Sequence, residues 1–377
     1  MTSSGQGRRG TTRGPTEGAR TLPARYYRDP EIFERENARI QRRRWIAACP
    51  AEELAGVGDY QLVKVAGDSL IVVRDGGGAI RAHHNVCRHR GTRMLGADRG
   101  RLSGSIQCPY HAWTYGLDGA LRRAPHMDGA DGFCVDDYPL VGADCATWGG
   151  MVWVRLAPRG QSLDEQLGKA AERLAPWDPA AMGTAHTERY DVRANWKLVI
   201  QNFSECLHCP VIHPQLQRFS HYLSGDNFPV TASAIGSTME LGEGVETLST
   251  DGRLVGTRIP GLPERLRRKV GYEILLPNLM FCLHPDYVVR YILRAVAPGR
   301  TRIRCDWLFR REVLGGPDFS PGRAVDFWHL TNQQDWKVCE LSQQGIGSSA
   351  YRPGPYSARE DQLWQIDHLL KDLLSSP

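Results

Sequence analysis

The spacing of apolar residues changes along the chain and divides it into stretches of different structure. Residues 25–44 have an imperfect apolar side of helical spacing, which predicts an N-terminal helix. We expect residues 1–24, rich in Gly, Ser, Thr and Arg, to form a disordered tail. In residues 45–157, short β-branched runs alternate with turn signals such as Asp-Gly-Gly-Gly at 75–78, which predicts a small all-β domain. Its strands are expected at residues 60–65, 69–74, 79–83, 106–107, 112–115 and 151–156.

Residues 158–377 combine strand-like and helical patterns and predict a second domain of mixed structure. A helix is expected at residues 195–208, and another from Ser320-Pro321 to about residue 343. A terminal helix is expected after Ser357 and Glu360, which have the spacing of a capping box. The fold class is therefore α+β, with an all-β N-terminal domain and a C-terminal domain whose antiparallel sheet is flanked by helices. The strands of that sheet are expected at residues 187–192, 231–240, 271–283, 286–297 and 301–310.

Composition and charge exclude several classes of protein. Of the 377 residues, 41% are apolar and 24% charged, which is typical of a globular protein of about two domains. The net charge of +5 is small for this length and gives no reason to expect a nucleic-acid partner. No run of apolar residues is long enough to predict a membrane span. Ten cysteines without a secretory signal favour reduced thiols in the cytoplasm, some of them metal ligands.

Two Cys/His pairs in the β domain form the first candidate site. Cys87-x-His89 and Cys108-x-x-His111 are separated by eighteen residues and fall in loops between predicted strands. Thiolates and imidazoles at this spacing bind zinc or iron, so a structural zinc site is one interpretation. Because each pair mixes one Cys with one His in a tight, Gly-rich β loop, we favour a [2Fe–2S] cluster with two His ligands.

A second set of candidate ligands lies about a hundred residues downstream. Glu205 and His208 are three residues apart and share one face of the predicted helix. His208 and His213 are five apart, so they converge only if the helix distorts, which we expect Pro210 to cause. A zinc site made from Cys206, Cys209 and the two histidines is an alternative. We expect the two cysteines instead to pack as small buried residues.

Two histidines need a third ligand, and Asp335 is the best candidate. It shares a predicted helical stripe with Trp328, Asn332 and Cys339, which is otherwise a mostly inward-facing stripe. A carboxylate on such a face must be paired or bind a metal. Two His and one carboxylate with open positions are typical of a non-haem Fe(II) centre that activates O₂.

The two motifs together resemble one family. Cys-x-His and Cys-x-x-His at this spacing resemble the Rieske domain. Asn195-Trp196-Lys197, followed by Asn202-x-x-Glu205-x-x-His208-x4-His213-Pro214, resembles the catalytic motif of Rieske non-haem iron oxygenase α subunits. The resemblance covers residues 25–375. It implies that the cluster is held by Cys87, His89, Cys108 and His111, and the mononuclear iron by His208, His213 and Asp335.

The resemblance also implies roles for two further residues and for external partners. Glu205 would join an iron-ligating His to a Rieske His of the neighbouring subunit, and Asn202 is a second candidate catalytic residue. Electrons would come from NAD(P)H through a flavin or ferredoxin-type reductase, since this chain has no dinucleotide fingerprint of its own. The other expected partners are O₂, a small organic substrate and two further copies of the chain in a homotrimer.

The substrate is the least constrained expectation. The family usually has Asp at the position of Glu205. A Glu at this position resembles the branch of the family that oxidises carnitine, glycine betaine or choline. We therefore expect hydroxylation or N-demethylation of a quaternary ammonium compound, with aromatic-ring hydroxylation or a biosynthetic tailoring reaction as alternatives. A non-catalytic Rieske electron carrier is a remote alternative. Aromatic residues that we expect at the pocket are Phe203, Phe219, Tyr222, Phe228, Tyr287, Trp307 and Trp328.

Overall fold

The computed structural model describes residues 18–375, which form two compact units. One unit comprises residues 36–166, and the other comprises the residues before 36 together with those from 167 onward. Most of the expected tail lies outside the described residues, but the end of that segment is ordered. Leu22 is fully buried, and the Thr21 N–H donates to the Gly354 carbonyl at 2.9 Å. The expectation of disorder up to residue 24 is therefore wrong for its last residues.

The N-terminal helix is broken where one continuous helix was predicted. Helix α1 (Arg25–Arg28) ends at Asp29, whose backbone is extended, and α2 (Pro30–Glu36) begins at the following proline. A residue before proline avoids the helical conformation, which explains the break. After α2 the chain continues in a π-helical turn at Asn37–Gln41, in which Ile40 is 1% exposed.

The unit of residues 36–166 is an all-β domain, as predicted. Seven strands form one antiparallel sheet in the order β1-β10-β9-β4-β3-β2-β5, and β6, β7 and β8 form a smaller sheet. The strands are β1 (Ile46–Pro50), β2 (Asp59–Val65), β3 (Asp68–Arg74), β4 (Ile80–His84), β5 (Arg99–Arg101), β6 (Ser105–Gln107), β7 (Thr114–Gly116), β8 (Leu121–Arg123), β9 (Gly142–Trp148) and β10 (Met151–Arg155).

Strand β3 connects the two cores of this domain. Side chains alternate between the faces of a strand, so neighbouring residues of β3 enter different clusters. Leu70 and Val72 pack in a cluster with residues of β1 and β10. Ile71 and Val73 pack in a second cluster that includes both Cys87 and Cys108. The two cysteine loops are thereby attached to the larger sheet through a shared apolar core.

The second unit combines one antiparallel sheet with helices, which confirms the α+β prediction. Its strand order is β11-β17-β16-β15-β14-β13-β12. The strands are β11 (Met182–Val192), β12 (Asp226–Asn227), β13 (Ala234–Glu240), β14 (Lys269–Leu275), β15 (Leu279–Leu283), β16 (Val288–Ala297) and β17 (Arg300–Arg310). Helix α3 (Leu163–Leu167) lies at the end of the first unit. The later helices of the second unit are α4 (Lys169–Leu174), α5 (Trp196–Phe203), α6 (Cys209–Ile212), α7 (Pro214–Phe219), α8 (Gly322–Ile346) and α9 (Asp361–Ser375).

Two predicted element boundaries, one in the sheet and one at the last helix, differ from those observed. The run at 271–283 forms two strands, β14 and β15, because the chain turns at residues 276–278 and Pro277 has no N–H for the ladder. Ser357 and Glu360 do interact, since the Ser357 N–H donates to the Glu360 carboxylate at 2.7 Å. They form a turn before α9 rather than its first turn.

Helix α8 is held by polar contacts to the sheet and to α5. The Tyr291 hydroxyl on β16 donates to the Asn332 side-chain oxygen at 3.1 Å. The Cys339 thiol donates to the Leu198 carbonyl of α5 at 3.6 Å. These contacts orient the stripe of α8 that contains Asp335. Among the helices that the structure describes, none is both long and apolar enough to span a membrane.

A buried ion pair on the sheet is expected to matter for stability. The Asp306 carboxylate on β17 is fully buried and accepts hydrogen bonds from Arg290 at 2.8 Å and Thr187 at 2.7 Å. Asp306→Ala leaves the Arg290 guanidinium buried without this partner, which costs about 3–5 kcal/mol in the free energy of unfolding. Urea unfolding followed by circular dichroism measures the loss. Asp191→Ala, which removes an exposed pair with Arg300, is the control and is expected to change little. Equal losses in the two variants would contradict the assignment.

Candidate metal centres

The first pair of ligand loops is built by short backbone hydrogen bonds. In the loop after β4, the Cys87 N–H donates to the Thr92 carbonyl at 2.9 Å, and the Gly91 N–H donates back to the Cys87 carbonyl at 3.0 Å. Gly91 has a φ of +73°, a conformation that glycine adopts readily. In the loop between β6 and β7, the Cys108 N–H donates to the Trp113 carbonyl at 2.8 Å. Both cysteines thus sit at the closing points of tight turns.

The four candidate ligands of this site differ in exposure by type. Cys87 and Cys108 are each 3% exposed, whereas His89 is exposed and His111 is half-buried. The two imidazole rings lie side by side, with centroids 4.8 Å apart, and His89 stacks on Trp113. The structure therefore brings together two buried thiols and two outward imidazoles. This donor set fits a [2Fe–2S] cluster whose cysteines face the core and whose histidines face the surface.

Tyr115 supports the first site and was not found by the sequence analysis. It is fully buried on β7, and its hydroxyl lies 3.4 Å from the Cys87 sulfur. The same oxygen accepts the Arg88 N–H at 3.1 Å. Burial, followed by the hydrogen bond with Cys87, raises the pKa of Tyr115. The hydroxyl therefore stays protonated and is able to donate to the sulfur.

The second site lies where a helix was predicted but ends early. Helix α5 stops at Phe203, so Glu205 and His208 lie in a turn rather than on one helical face. Pro210 does not kink a helix, as we expected, but lies in the first turn of α6. His213 lies between α6 and α7, where its backbone leaves the helical conformation. The two histidines converge because the chain changes direction twice between Phe203 and Pro214.

Asp335 on α8 meets both histidines. Its carboxylate oxygen lies 2.8 Å from His213 Nε2 and 3.3 Å from His208 Nε2. The three potential ligand atoms all lie within 4.8 Å of one another. His213 is 1% exposed, and the side chains of His208 and Asp335 are each 16% exposed. The structure thus places one oxygen and two nitrogens where a single cation could bind all three.

The far nitrogens of both imidazoles have acceptors that determine which nitrogen faces Asp335. The Nδ1–H of His208 donates to Glu205 at 2.5 Å, and that of His213 donates to the Gln334 side-chain oxygen at 2.8 Å. Each Nε2 then faces the carboxylate, so that loss of its proton would give a metal ion two nitrogen ligands beside the Asp335 oxygen. Gln334 itself is oriented by Gln215, which donates to the same oxygen at 2.7 Å. Nothing in the local sequence pattern distinguishes Gln334, so it was missed.

The electrostatics of the second site favour positive charge. Burial by itself lowers the pKa of His208, but hydrogen bonds with Asp335 and Glu205 outweigh it and raise this pKa to about 10. Burial raises the pKa of Asp335, but hydrogen bonds from His208 and His213 outweigh it, so the pKa lies below its usual value. An ionised carboxylate and two imidazoles fit the 2-His-1-carboxylate set of a non-haem Fe(II) site.

The cysteines beside His208 differ from our expectation. Cys206 and Cys209 form a disulfide, with Cα atoms 5.0 Å apart, instead of packing as reduced residues. The expectation of reduced thiols is therefore wrong for this pair, and its sulfurs are not available as zinc ligands. Cys206 lies in the stretch between α5 and α6 and Cys209 is the first residue of α6, so the disulfide closes the turn that contains His208.

A cavity of about 690 Å³ adjoins the second site and is lined by His208, His213 and Asp335. Asn202, a candidate catalytic residue, also lines it, as does Glu205. Of the seven aromatic residues expected at the pocket, four line the cavity: Phe203, Tyr222, Phe228 and Trp328. Phe219, Tyr287 and Trp307 do not; Tyr287 and Trp307 are fully buried in the core. The cavity lies wholly within the second unit.

Tyr272 on β14 is a fifth aromatic residue of the cavity wall, and the sequence analysis missed it. Its ring meets that of Phe203 edge to face, with centroids 5.8 Å apart. Its hydroxyl is buried and has no hydrogen-bond partner among the described residues. The strand was predicted. In a strand that is buried on both faces, however, the pattern of apolar and polar residues does not show which side chains border a cavity.

Comparisons with known proteins agree with this geometry. A family model for the ring hydroxylating alpha subunit (catalytic domain) matches residues 179–376, and one for the Rieske [2Fe-2S] domain matches residues 44–139. The glycine betaine monooxygenase oxygenase subunit of Chromohalobacter salexigens is 32% identical over 371 residues, covering 90% of this chain and 82% of that protein. The carnitine monooxygenase oxygenase subunit of Escherichia coli (strain K12) is 33% identical over 214 residues, covering 55% of this chain and 57% of that protein.

The fold is also similar to a solved structure. The quaternary ammonium Rieske monooxygenase CntA in complex with L-carnitine superposes with a TM-score of 0.77 and 23% sequence identity. The similarity covers 94% of this chain and 95% of that chain. At this level of identity the likeness establishes the architecture of the chain.

Removing the carboxylate of the second site tests its role as a ligand. Asp335→Ala is expected to reduce the iron content from about three to about two atoms per chain, because the mononuclear site loses its only carboxylate ligand. The visible absorption of the cluster should not change. Iron analysis and electron paramagnetic resonance measure both. Asp326→Ala removes an exposed carboxylate from the same helix and is the control. Full iron content in the Asp335 variant would exclude Asp335 as a ligand.

Proposed function

The chain belongs to the family of ring-hydroxylating alpha subunits with a Rieske [2Fe-2S] domain, and from this membership we propose that it oxidises a small quaternary ammonium compound. The chain is thus an O₂-dependent oxidoreductase and the terminal oxygenase component of its system. Its cofactors are a Rieske [2Fe–2S] cluster and a mononuclear non-haem iron. Two of the relatives named above are a glycine betaine and a carnitine monooxygenase subunit.

The aromatic wall of the cavity is the observation that supports this substrate class most directly. A quaternary ammonium group has no N–H to donate, so a protein binds it through aromatic faces. Each good contact of this kind contributes about 1–2 kcal/mol when water is excluded. A cavity of about 690 Å³ accommodates such a molecule together with O₂. The aromatic residues that line it are Phe203, Tyr222, Phe228, Tyr272 and Trp328.

The charges of the wall support a cation in preference to a neutral aromatic ring. Four carboxylates line the cavity, those of Glu205, Asp226, Asp335 and Asp361. Arg359 is the one Lys or Arg among the described residues that line it, and its side chain is exposed. A cavity with an excess of carboxylates raises the local concentration of cations. An uncharged ring would gain nothing from this excess.

The proposed reaction is a monooxygenation next to the quaternary nitrogen. One atom of O₂ enters a C–H bond of a carbon attached to nitrogen, and the other leaves as water with two electrons and two protons. The resulting hydroxyl compound then breaks its C–N bond, and the hydroxyl proton passes to the amine as the carbonyl forms. Hydroxylation of an N-methyl group therefore yields formaldehyde and a tertiary amine. When bound, the two metal centres supply electron transfer and O₂ reduction.

The residues of this chain position the reactants. We propose that His208, His213 and Asp335 hold the mononuclear iron, with Glu205 and Gln334 fixing the two imidazoles by accepting hydrogen bonds from their Nδ1–H groups. Trp328 is fixed in turn, since its indole N–H donates to the Tyr287 hydroxyl at 2.8 Å. A rigid aromatic wall orients the substrate and excludes water from the reacting carbon. We further propose that Asn202 contacts the substrate or a bound water from the same wall.

The remaining partners are proposals that follow from the family resemblance. Electrons come from NAD(P)H through a separate flavin or ferredoxin-type reductase. The chain acts as a homotrimer in the cytoplasm, in which Cys87, His89, Cys108 and His111 hold the cluster of one subunit. Glu205 connects that cluster to the iron of the neighbouring subunit. The carboxylate is suited to this role because it already binds the outer nitrogen of His208.

A substrate panel tests the proposed function. With NADH, O₂ and a surrogate reductase, glycine betaine, carnitine and choline are expected to be consumed, whereas benzoate and naphthalene are not. Mass spectrometry identifies the demethylated or cleaved product, and aldehyde formation should match substrate loss in a ratio of about one. Oxidation of the aromatic compounds alone would contradict the proposal and favour a ring-hydroxylating activity.

Glu205 is expected to affect the rate of electron transfer more than metal binding. Glu205→Ala should retain both centres, because Glu205 is not itself a ligand, yet slow single-turnover oxidation of the reduced cluster by about tenfold or more. Stopped-flow absorption of the cluster measures this rate. Glu205→Gln keeps an acceptor for the His208 Nδ1–H and separates the loss of the hydrogen bond from the loss of charge. A wild-type rate in the Ala variant would remove Glu205 from the path.

A further inference from the structure

A buried carboxylate in the cavity wall has an oxygen without a partner. Asp361 is 5% exposed and lines the cavity beside the second metal site. Its Oδ1 accepts a hydrogen bond from the Asn227 side-chain N–H at 3.1 Å. Its Oδ2 is buried and accepts no hydrogen bond from any residue that the structure describes. Burying a charge is costly unless an opposite charge or hydrogen bonds compensate it, so this carboxylate needs a further partner.

The nearby cations of the protein do not provide that partner. Arg359 also lines the cavity, but its side chain is exposed and forms no ion pair with Asp361 in the described part of the chain. Lys269, near the same strands, lies 2.8 Å from Glu240 and 3.8 Å from Asp226. Asp361 is also the first residue of α9, where the helix dipole stabilises an acid. That stabilisation is small compared with the cost of burying a charge, so the position alone does not compensate it.

The start of α9 is attached to the aromatic wall. The Gln362 side-chain N–H group donates to the Phe228 carbonyl at 3.1 Å and to the Gly236 carbonyl at 2.9 Å. Asn227, which donates to Asp361, directly precedes Phe228 in the chain. One hydrogen bond therefore holds the carboxylate itself, and two more attach the next residue, Gln362, to Phe228 and to strand β13. The Arg173 guanidinium, 5.3 Å from the Phe228 ring centroid, pairs with Glu273 and not with Asp361, so it does not neutralise this carboxylate.

We infer that Asp361 is the counter-charge that selects a cationic head group in the cavity, an inference that rests on the proposed function and names the residue responsible. The aromatic faces also bind a quaternary carbon centre of the same shape through dispersion and apolar burial, and their added cation–π attraction for the nitrogen centre does not depend on the residue at position 361. A carboxylate in the wall distinguishes the two, because only the nitrogen centre carries positive charge. Asp361 is thus a specificity-determining residue, and it takes no part in holding the iron.

Two ligands of the same shape test this inference. Glycine betaine and 3,3-dimethylbutanoate share a carboxylate and differ in whether the quaternary centre is a charged nitrogen or a neutral carbon. Isothermal titration calorimetry on the enzyme with both metal centres, without O₂, measures each affinity. We expect the wild type to prefer glycine betaine, and Asp361→Asn to reduce that preference by about tenfold or more while the cation–π contribution of the aromatic faces remains. The Asn variant keeps an oxygen that accepts from Asn227.

Two variants serve as controls. Asp226→Asn removes a carboxylate that lines the same cavity but is 62% exposed and lies 3.8 Å from Lys269, so the preference should fall much less than in Asp361→Asn. Asp361→Glu keeps the charge and should keep the preference. Circular dichroism and the cluster absorption verify the fold of each variant. If the Asn variant does not fold, Asp361→Ser, also favourable at a helix start, takes its place.

The outcomes separate this inference from the proposed function. An unchanged preference in Asp361→Asn, or a wild type without any preference, would overturn the role of Asp361. Turnover is measured separately with the same proteins. A wild type that prefers the cation through Asp361 but oxidises no quaternary ammonium compound would refute the proposed function alone. If the wild type oxidises glycine betaine and the Asn variant prefers the cation as strongly as the wild type does, the inference alone is refuted.

Discussion

The catalytic unit depends on one buried carboxylate placed between two imidazoles. Asp335 comes from the long helix α8, whereas His208 and His213 come from a turn more than a hundred residues earlier. Such a carboxylate is stable only when positive charge lies beside it. The hydrogen bonds to Glu205 and Gln334 leave the inner nitrogens of both imidazoles directed at the carboxylate. The interaction therefore determines both the approach of α8 to the turn and the place where a metal binds.

The cavity extends this electrostatic arrangement beyond the metal ligands. Its aromatic residues accept many apolar molecules, so they alone do not define a substrate. The acidic residues of the wall narrow the choice, because they favour a cation over a neutral ring of the same size. Asp361 is the clearest example, since one of its buried oxygens has no hydrogen-bond partner within residues 18–375. Substrate selection and metal binding thus follow from the same physical rule, that buried charges require opposite charges.

The β domain places the proposed cluster ligands between its apolar core and its surface. Strand β3 sends alternate residues into two apolar clusters, and one of them contains Cys87 and Cys108. The histidines of the same loops remain on the outside, with His89 exposed. A cluster bound in this way has its sulfur ligands shielded from water and its imidazoles available to a partner. This asymmetry suits a centre that receives and passes on electrons.

The sequence by itself determined the fold class, both ligand motifs and the third ligand candidate. These depend on local patterns: the alternation of apolar residues, the Cys/His spacing and the helical stripe that contains Asp335. The tertiary structure alone decided that α5 ends at Phe203, that Cys206 and Cys209 form a disulfide, and that Gln334, Tyr272 and Asp361 belong to the site. It also showed that Tyr287 and Trp307, which were predicted to line the pocket, are buried in the core. The disulfide is a local pairing that depends on the chain leaving the helix after Phe203. The places of Gln334, Tyr272, Asp361, Tyr287 and Trp307 depend on which distant segments pack together, and periodicity along a chain carries no information about contacts between residues a hundred positions apart.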